Sequence, residues 1–182
     1  MQRLTYIIEQ KLSKDKNTTQ SLDNILKKLD AIDLKILTIL FNDADITNKE
    51  LAAKINIAPS TCLERVKRLR QSGVIKKAYV DINFKTIGGN IEAIAAIKLQ
   101  PYSEEIVNQL RDDLLLLPEI VSLYHMGGMY DYYIHMSVKD SEHLRKFVFD
   151  AITSRDEVQT VETSLIFEHS RSGVLPNFSE EN

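Results

Sequence analysis

Apolar residues recur along this chain in two rhythms, and the change of rhythm near residue 90 divides it. Before that point the spacing is helical. Leu29, Ile32, Ile36, Leu37 and Leu40 predict a helix over 29–42. Leu51, Ala52 and Ile55 predict a second, with Thr47 as its cap and Glu50 three places later to complete a capping box. Asn56-Ile57-Ala58 is short and polar enough to turn. Pro59 suits the first position of a third helix, where its missing N–H would have no intrahelical partner. In that helix Cys62, Val66 and Leu69 share one face, and Gly73 is a natural stop. Residues 74–83 are β-rich, and read as a strand following the helices or as an arm exchanged with a partner subunit. Lys85–Asn90, with Gly88-Gly89, reads as a linker.

From residue 91 the order becomes strand, helix, strand, twice over. Strands are predicted at 91–99, 120–126, 130–138 and 158–167. One helix spans 103–117, burying Ile106, Val107, Leu110 and Leu114 and ending before Pro118; another spans 141–153 with Leu144, Phe147, Val148 and Ile152 inward. This order gives a ferredoxin-like βαββαβ sheet with both helices on one face. Its other face needs a cover, and the simplest is the same face of a second subunit. The fold class is therefore α+β: an N-terminal three-helix helix-turn-helix domain and a C-terminal ferredoxin-like domain. The expected boundaries are a flexible tail at 1–21, the helical domain at 22–79, a linker strand or hinge at 80–90, the second domain at 91–171 and a tail at 172–182. Within the first tail, 1–12 reads as a short amphipathic helix and Ser13–Ser21 as a polar linker.

The third helix carries the candidate chemistry. Residues about 100° apart place Ser60, Thr61, Glu64, Lys67, Arg68 and Gln71 opposite its apolar face. A compact helix pair with a basic second helix suits the major groove of double-stranded DNA. Pro59, Ser60 and Thr61 lie in the N-terminal part that reads base edges in such motifs. Lys67, Arg68 and Arg70, with Lys76 and Lys77 beyond the stop, suit phosphates, which give affinity without sequence information. Arg65 sits at the flank, and either reaches DNA or pairs with an acid inside the domain. Glu64 lies four residues before Arg68, a spacing that forms ion pairs on any exposed helix.

Overall charge does not suggest a nucleic-acid binder, but its distribution does. The 182 residues carry a net charge of −3 and 43% apolar residues. Residues 22–79 hold 11 Lys and Arg against 7 Asp and Glu, a net of +4, whereas 90–170 hold 6 against 14, a net of −8. One half is suited to a polyanion and the other is repelled by it. The single cysteine, Cys62, excludes an internal disulfide, and no Cys/His spacing suggests zinc. The longest apolar runs are too short for a membrane span or a secretory leader, so a cytoplasmic, nucleoid-associated protein is expected. An enzyme is disfavoured. Cys62 lies in a different domain from His125, His135, His143 and Asp131, and there is no Gly-rich phosphate loop.

Several motifs in order across both domains make the chain resemble the Lrp/AsnC (feast/famine, leucine-responsive) family of transcription regulators. They are Leu29-Asp30-Ala-Ile-Asp33-Leu-Lys-Ile-Leu37, Glu50-Leu-Ala, Cys62-Leu-Glu-Arg-Val-Lys-Arg-Leu69, Gly73-Val-Ile75 and Gly128-Met-Tyr-Asp131-Tyr. The resemblance covers roughly residues 28–171. It implies a winged helix-turn-helix domain, homodimers formed through the second domain, assembly to octamers, no cofactor, and an amino-acid effector, leucine among the candidates, bound between dimers. It further implies that the effector site takes in Met126, Gly127, Gly128, Met129, Tyr130 and Asp131, with Ser141, Ser164 and Leu165. A Gly-rich turn can offer N–H groups to a carboxylate, and Asp131 can pair with an α-ammonium group; an ordinary tight hairpin with a turn-capping Asp is the alternative. Two departures from the family pattern stand out. Met129 replaces an acid common in the leucine-responsive branch, and Ala58 replaces a Ser common before the Pro. The competing readings are an effector-independent regulator and a co-regulator that assembles with a paralogue without binding DNA.

Overall fold

The computed structural model describes residues 29–176. The sequence readings for 1–21 and for the end of the C-terminal tail lie outside the described residues. The described chain forms two compact units: residues 29–80 together with 170–176, and Asp81–His169.

The first unit contains three helices, α1 (Ala31–Asn42), α2 (Asn48–Ile55) and α3 (Pro59–Gln71). Asp30 caps α1, accepting the Asp33 N–H at 2.9 Å while the Asp33 carboxylate accepts the Asp30 N–H. Thr47 and Glu50 form the predicted capping box at α2, which ends in the left-handed Asn56. Pro59 opens α3 as predicted, but its N-cap, Ala58, makes no side-chain bond; a Ser there would contribute about 1 kcal/mol. Gly73 takes a positive φ of 76° and ends the helix. Ile36, Leu51, Ala52, Cys62 and Leu69 form the buried core, with Val66, Ile55 and Leu40 packed around it. The chain returns at its C-terminal end to the last turn of α1. Arg171 donates to the Phe41 carbonyl at 2.8 Å and lies 4.3 Å from the centre of the Phe41 ring, and Asn42 donates to the Gly173 carbonyl at 3.0 Å.

Residues 74–83 do not form the expected strand: Val74 and Ile75 bend and pack half-buried against the helical core, and 76–83 run as exposed chain with no sheet partner among the described residues. High β-propensity alone does not make a strand without a hydrogen-bonded neighbour.

The second unit is the expected βαββαβ arrangement. Its elements are β1 (Ile91–Leu99), α4 (Glu104–Leu114), β2 (Ile120–His125), β3 (Tyr132–Val138), α5 (Ser141–Phe147) and β4 (Val158–Leu165). A 3-10 turn over Phe84–Ile87 precedes β1, and a π-helical turn over Val148–Thr153 continues α5. The strands form one antiparallel sheet in the order β2-β3-β1-β4. Strand alternation sends Ala93, Ala95, Ile97 and Leu99 of β1 and Tyr132, Ile134 and Met136 of β3 into the core, against Val107, Leu110, Leu114, Phe147 and Ile152 of the helices. The opposite face carries Glu92, Ile94, Ala96 and Lys98 of β1 and Tyr133 and His135 of β3, and no helix of the unit covers it. His135 and Glu92 pair across that face at 2.9 Å. Gly89 has a close-approach role, since a Cβ there would overlap the Ser137 hydroxyl.

Candidate nucleic-acid interface and effector turn

The first candidate site is the outer face of α3. Its orientation is fixed from behind by two devices. Asn48, the first residue of α2, donates to the Pro59 carbonyl at 2.8 Å and ties the two helices at the turn. Cys62 and Leu69 are fully inserted into the core, and burial pushes the Cys62 thiol pKa up, so it is a packed hydrophobe and not a nucleophile. Ser60, Thr61, Glu64, Lys67, Arg70, Lys76 and Lys77 are all exposed, and Pro59 is exposed beside them.

Two predicted DNA contacts are engaged inside the unit. Arg65 bridges Asp30 at 2.7 Å and Asp33 at 3.0 Å, so of the two readings open for it the structure gives the internal pair. Arg68 pairs with the other oxygen of Asp33 at 2.5 Å, not with Glu64. Asp33 is fully buried, and a buried carboxylate is tolerated only when paired and hydrogen-bonded. The backbone N–H of Asp33 and the Arg65 guanidinium hold the Asp30 carboxyl below its ordinary range, and the two acids raise Arg65 in turn. Arg68 is still 55% exposed, so part of its guanidinium is available to a phosphate while Asp33 orients it. These acids lie 32 to 35 residues from their partners, and no local pattern announces such pairing.

The second candidate site is the turn between β2 and β3. It is closed by Met126 N–H donating to the Asp131 carbonyl at 2.8 Å, and is anchored to β1 by Asp131 N–H donating to the Ile97 carbonyl at 2.8 Å. Asp131 is buried, the Leu99 N–H donates to its carboxylate at 2.8 Å, and Lys98 pairs with it at 3.2 Å. In the free chain these bonds hold the turn against β1. Lys98 is a partner that sequence reasoning missed; its signal was the lone cation of a largely apolar strand. Neither Gly127 nor Gly128 has a positive φ, and a Cβ added at either would meet nothing within 4 Å. Met129 is exposed at the tip, and Tyr130 reaches across to donate to Glu162 at 2.5 Å, which raises the Tyr130 pKa.

The remaining predicted effector residues do not join this turn within the chain. Leu165 pairs with Ala93 while Asp131 sits beside Ile97, which separates them by four residues along β1, roughly 13 Å. Ser141 and Leu165 instead line a separate groove of about 430 Å³ between α5, its π-helical continuation and β4, with Leu144, Arg145, Val148 and Phe149. Ser164 pairs with Ile94 on the uncovered side of the sheet. The His125 ring lies 4.9 Å from that of Tyr132 and meets the Tyr102 hydroxyl at 3.2 Å.

A basic-faced helix-turn-helix joined to a separate ferredoxin-like unit is the layout of a DNA-binding transcription regulator. Comparison with known proteins agrees: a winged helix-turn-helix DNA-binding model matches residues 29–76, and an Lrp/AsnC ligand binding domain model matches residues 92–174. The chain belongs to the Lrp/AsnC family, whose members regulate transcription and are not enzymes. The transcriptional regulator AldR of Mycolicibacterium smegmatis is 37% identical over 145 residues, 80% of this chain and 85% of its own length. AzlB of Bacillus subtilis is 34% identical over 138 residues, 76% of this chain and 88% of its own. Among solved structures, AsnC of Escherichia coli matches with a TM-score of 0.68 at 25% identity, covering 81% of this chain and 97% of its own. A Neisseria meningitidis regulator crystallised as an L-Met complex matches with a TM-score of 0.71 at 25% identity, covering 82% and 97%. Among the described residues, no helix is long and apolar enough to cross a membrane.

Proposed function

We propose that this chain is a sequence-specific regulator that self-associates through the uncovered face of its sheet and is modulated by an amino acid bound at the Gly127–Asp131 turn. The observation that carries the effector reading is the pair of glycines at 127 and 128. Glycine costs conformational entropy, and here it is required neither by backbone geometry nor by a neighbour in the same chain. The open space beside them is room for something outside the chain to approach the backbone. Backbone N–H groups at such a turn suit a carboxylate, and Asp131 supplies rigidity by fixing the turn to β1. The neisserial relative with L-Met supports an amino acid as the ligand class. Met129, exposed and uncharged, favours an apolar side chain such as leucine or methionine over a cationic one.

In this mechanism the effector acts by its differential affinity for two assembly states, and DNA affinity follows the state it favours. The test is Gly128→Val, which adds a branched side chain where nothing lies within 4 Å. Calorimetry with each amino acid is expected to show binding to the wild type and at least tenfold weaker binding to the variant, with gel-shift affinity for DNA in the absence of effector unchanged. Equal affinity in the two proteins would move the effector site away from this turn. No binding of any amino acid to the wild type would support the effector-independent reading.

A further inference from the structure

On the three helices of the first unit, the described large hydrophobic side chains are buried or partly buried, with one exception. Leu63, on α3, is 58% exposed. It lies about 100° around the helix from the buried Cys62, on the side that carries the exposed polar residues. Ser60, Leu63, Lys67 and Arg70 form one row along this surface, at spacings of three, four and three. The row begins in the N-terminal part of the helix and ends in cations.

We propose that Leu63 is a specificity-determining residue that reads thymine, packing its isobutyl group on the C5-methyl of one thymine in the major groove. The inference rests on the reading that α3 enters that groove. Leucine has no donor or acceptor, and the base-edge feature in the major groove that complements it is the thymine methyl. The order within the row fits this role, because the N-terminal residues of a recognition helix meet bases while later cations meet phosphates. A protein partner fits less well. Docking on Leu63 would desolvate Lys67 and Arg70 beside it, and charged residues are depleted from the buried centres of protein interfaces. Exposed in the free protein, Leu63 gains burial when the groove closes over it.

The experiment uses the full-length protein. Duplexes are selected from a random library, and each thymine of the consensus is then replaced in turn by deoxyuridine, which removes only the methyl group. Burial of one methyl corresponds to a factor of about three to five in affinity. The wild type is expected to lose that factor at one thymine in each half-site. Leu63→Ala is expected to bind the thymine duplex more weakly and to lose nothing further with deoxyuridine at that position. Its salt dependence should match that of the wild type, since no phosphate contact has been removed. Leu63→Met keeps an apolar tip and should keep the methyl dependence.

The proposal is overturned if Leu63→Ala shows the same deoxyuridine losses as the wild type, or selects the same consensus with unchanged affinity. It is also overturned if the variant changes the mass of the protein in light scattering, since Leu63 would then be a protein contact. Failure to recover any consensus would defeat the placement of α3 in the groove, and the role of Leu63 with it.

Discussion

Asp33 is a buried carboxylate held by two guanidinium groups, and it connects the first helix to the helix that carries the DNA-facing residues. Its Oδ1 accepts from Arg65 and its Oδ2 from Arg68. Removing one partner of such a set strands the others, which makes loss of the acid costlier than the net value of the pair. Asp33→Asn is expected to destabilise the helical unit by about 3 kcal/mol, measured by chemical denaturation. A change well below 1 kcal/mol would mean that desolvation already cancels the attraction. At this scale the sequence was only partly legible. Pro59, Thr47, Glu50 and Gly73 were readable because each acts on backbone within a few residues of itself. The roles of Asp33, Arg65 and Arg68, and of Asp131 with Lys98, were not, because they depend on which distant segments fold together.

At the scale of elements, α1 has no basic residue in its last turn to offset the helix dipole and its unpaired carbonyls. Arg171 supplies that cation from 130 residues along the chain, bonding the Phe41 carbonyl and stacking on its ring. Arg171→Ala is expected to cost about 1 kcal/mol and to speed amide exchange over residues 38–43, because a C-terminal cation and a cation–π contact are each worth about that or less at the surface. Unchanged protection there would show that the returning segment rests on α1 without stabilising it. This contact had no signature in the sequence, where Arg171 reads as the end of the second domain and 172–182 as a tail. Other element-level differences have equally plain causes. Residues 74–83 have strand propensity but no partner strand among the described residues. The helix expected over 141–153 keeps its apolar spacing while changing to a π-helical turn at Val148, because hydrophobic periodicity locates a buried face without fixing the hydrogen-bond pattern.

At the scale of the whole molecule, both fold classes and the segregation of charge were readable, since each is a sum over many residues and survives local errors. What composition does not supply is the partner for the uncovered sheet face. That face presents Ile94, Ala96 and Tyr133 around the His135–Glu92 pair, with the exposed Tyr124 at the β2 edge. This mix of apolar side chains and one ion pair suits an isologous contact, in which each patch meets the same patch on a second copy. Ile94 lies on β1, between β3 and β4, so it is central to the patch. Ile94→Glu places like charges opposite each other near the two-fold axis of such a dimer. The variant is expected to run as a monomer in light scattering while still melting cooperatively. It should also lose most of its DNA affinity, because two linked recognition helices bind half-sites about 34 Å apart and a single one forfeits the effective concentration that linkage provides. An unchanged mass would remove the sheet face from the assembly. A monomer that kept wild-type DNA affinity would show that one copy reads its site alone, and would separate self-association from DNA recognition.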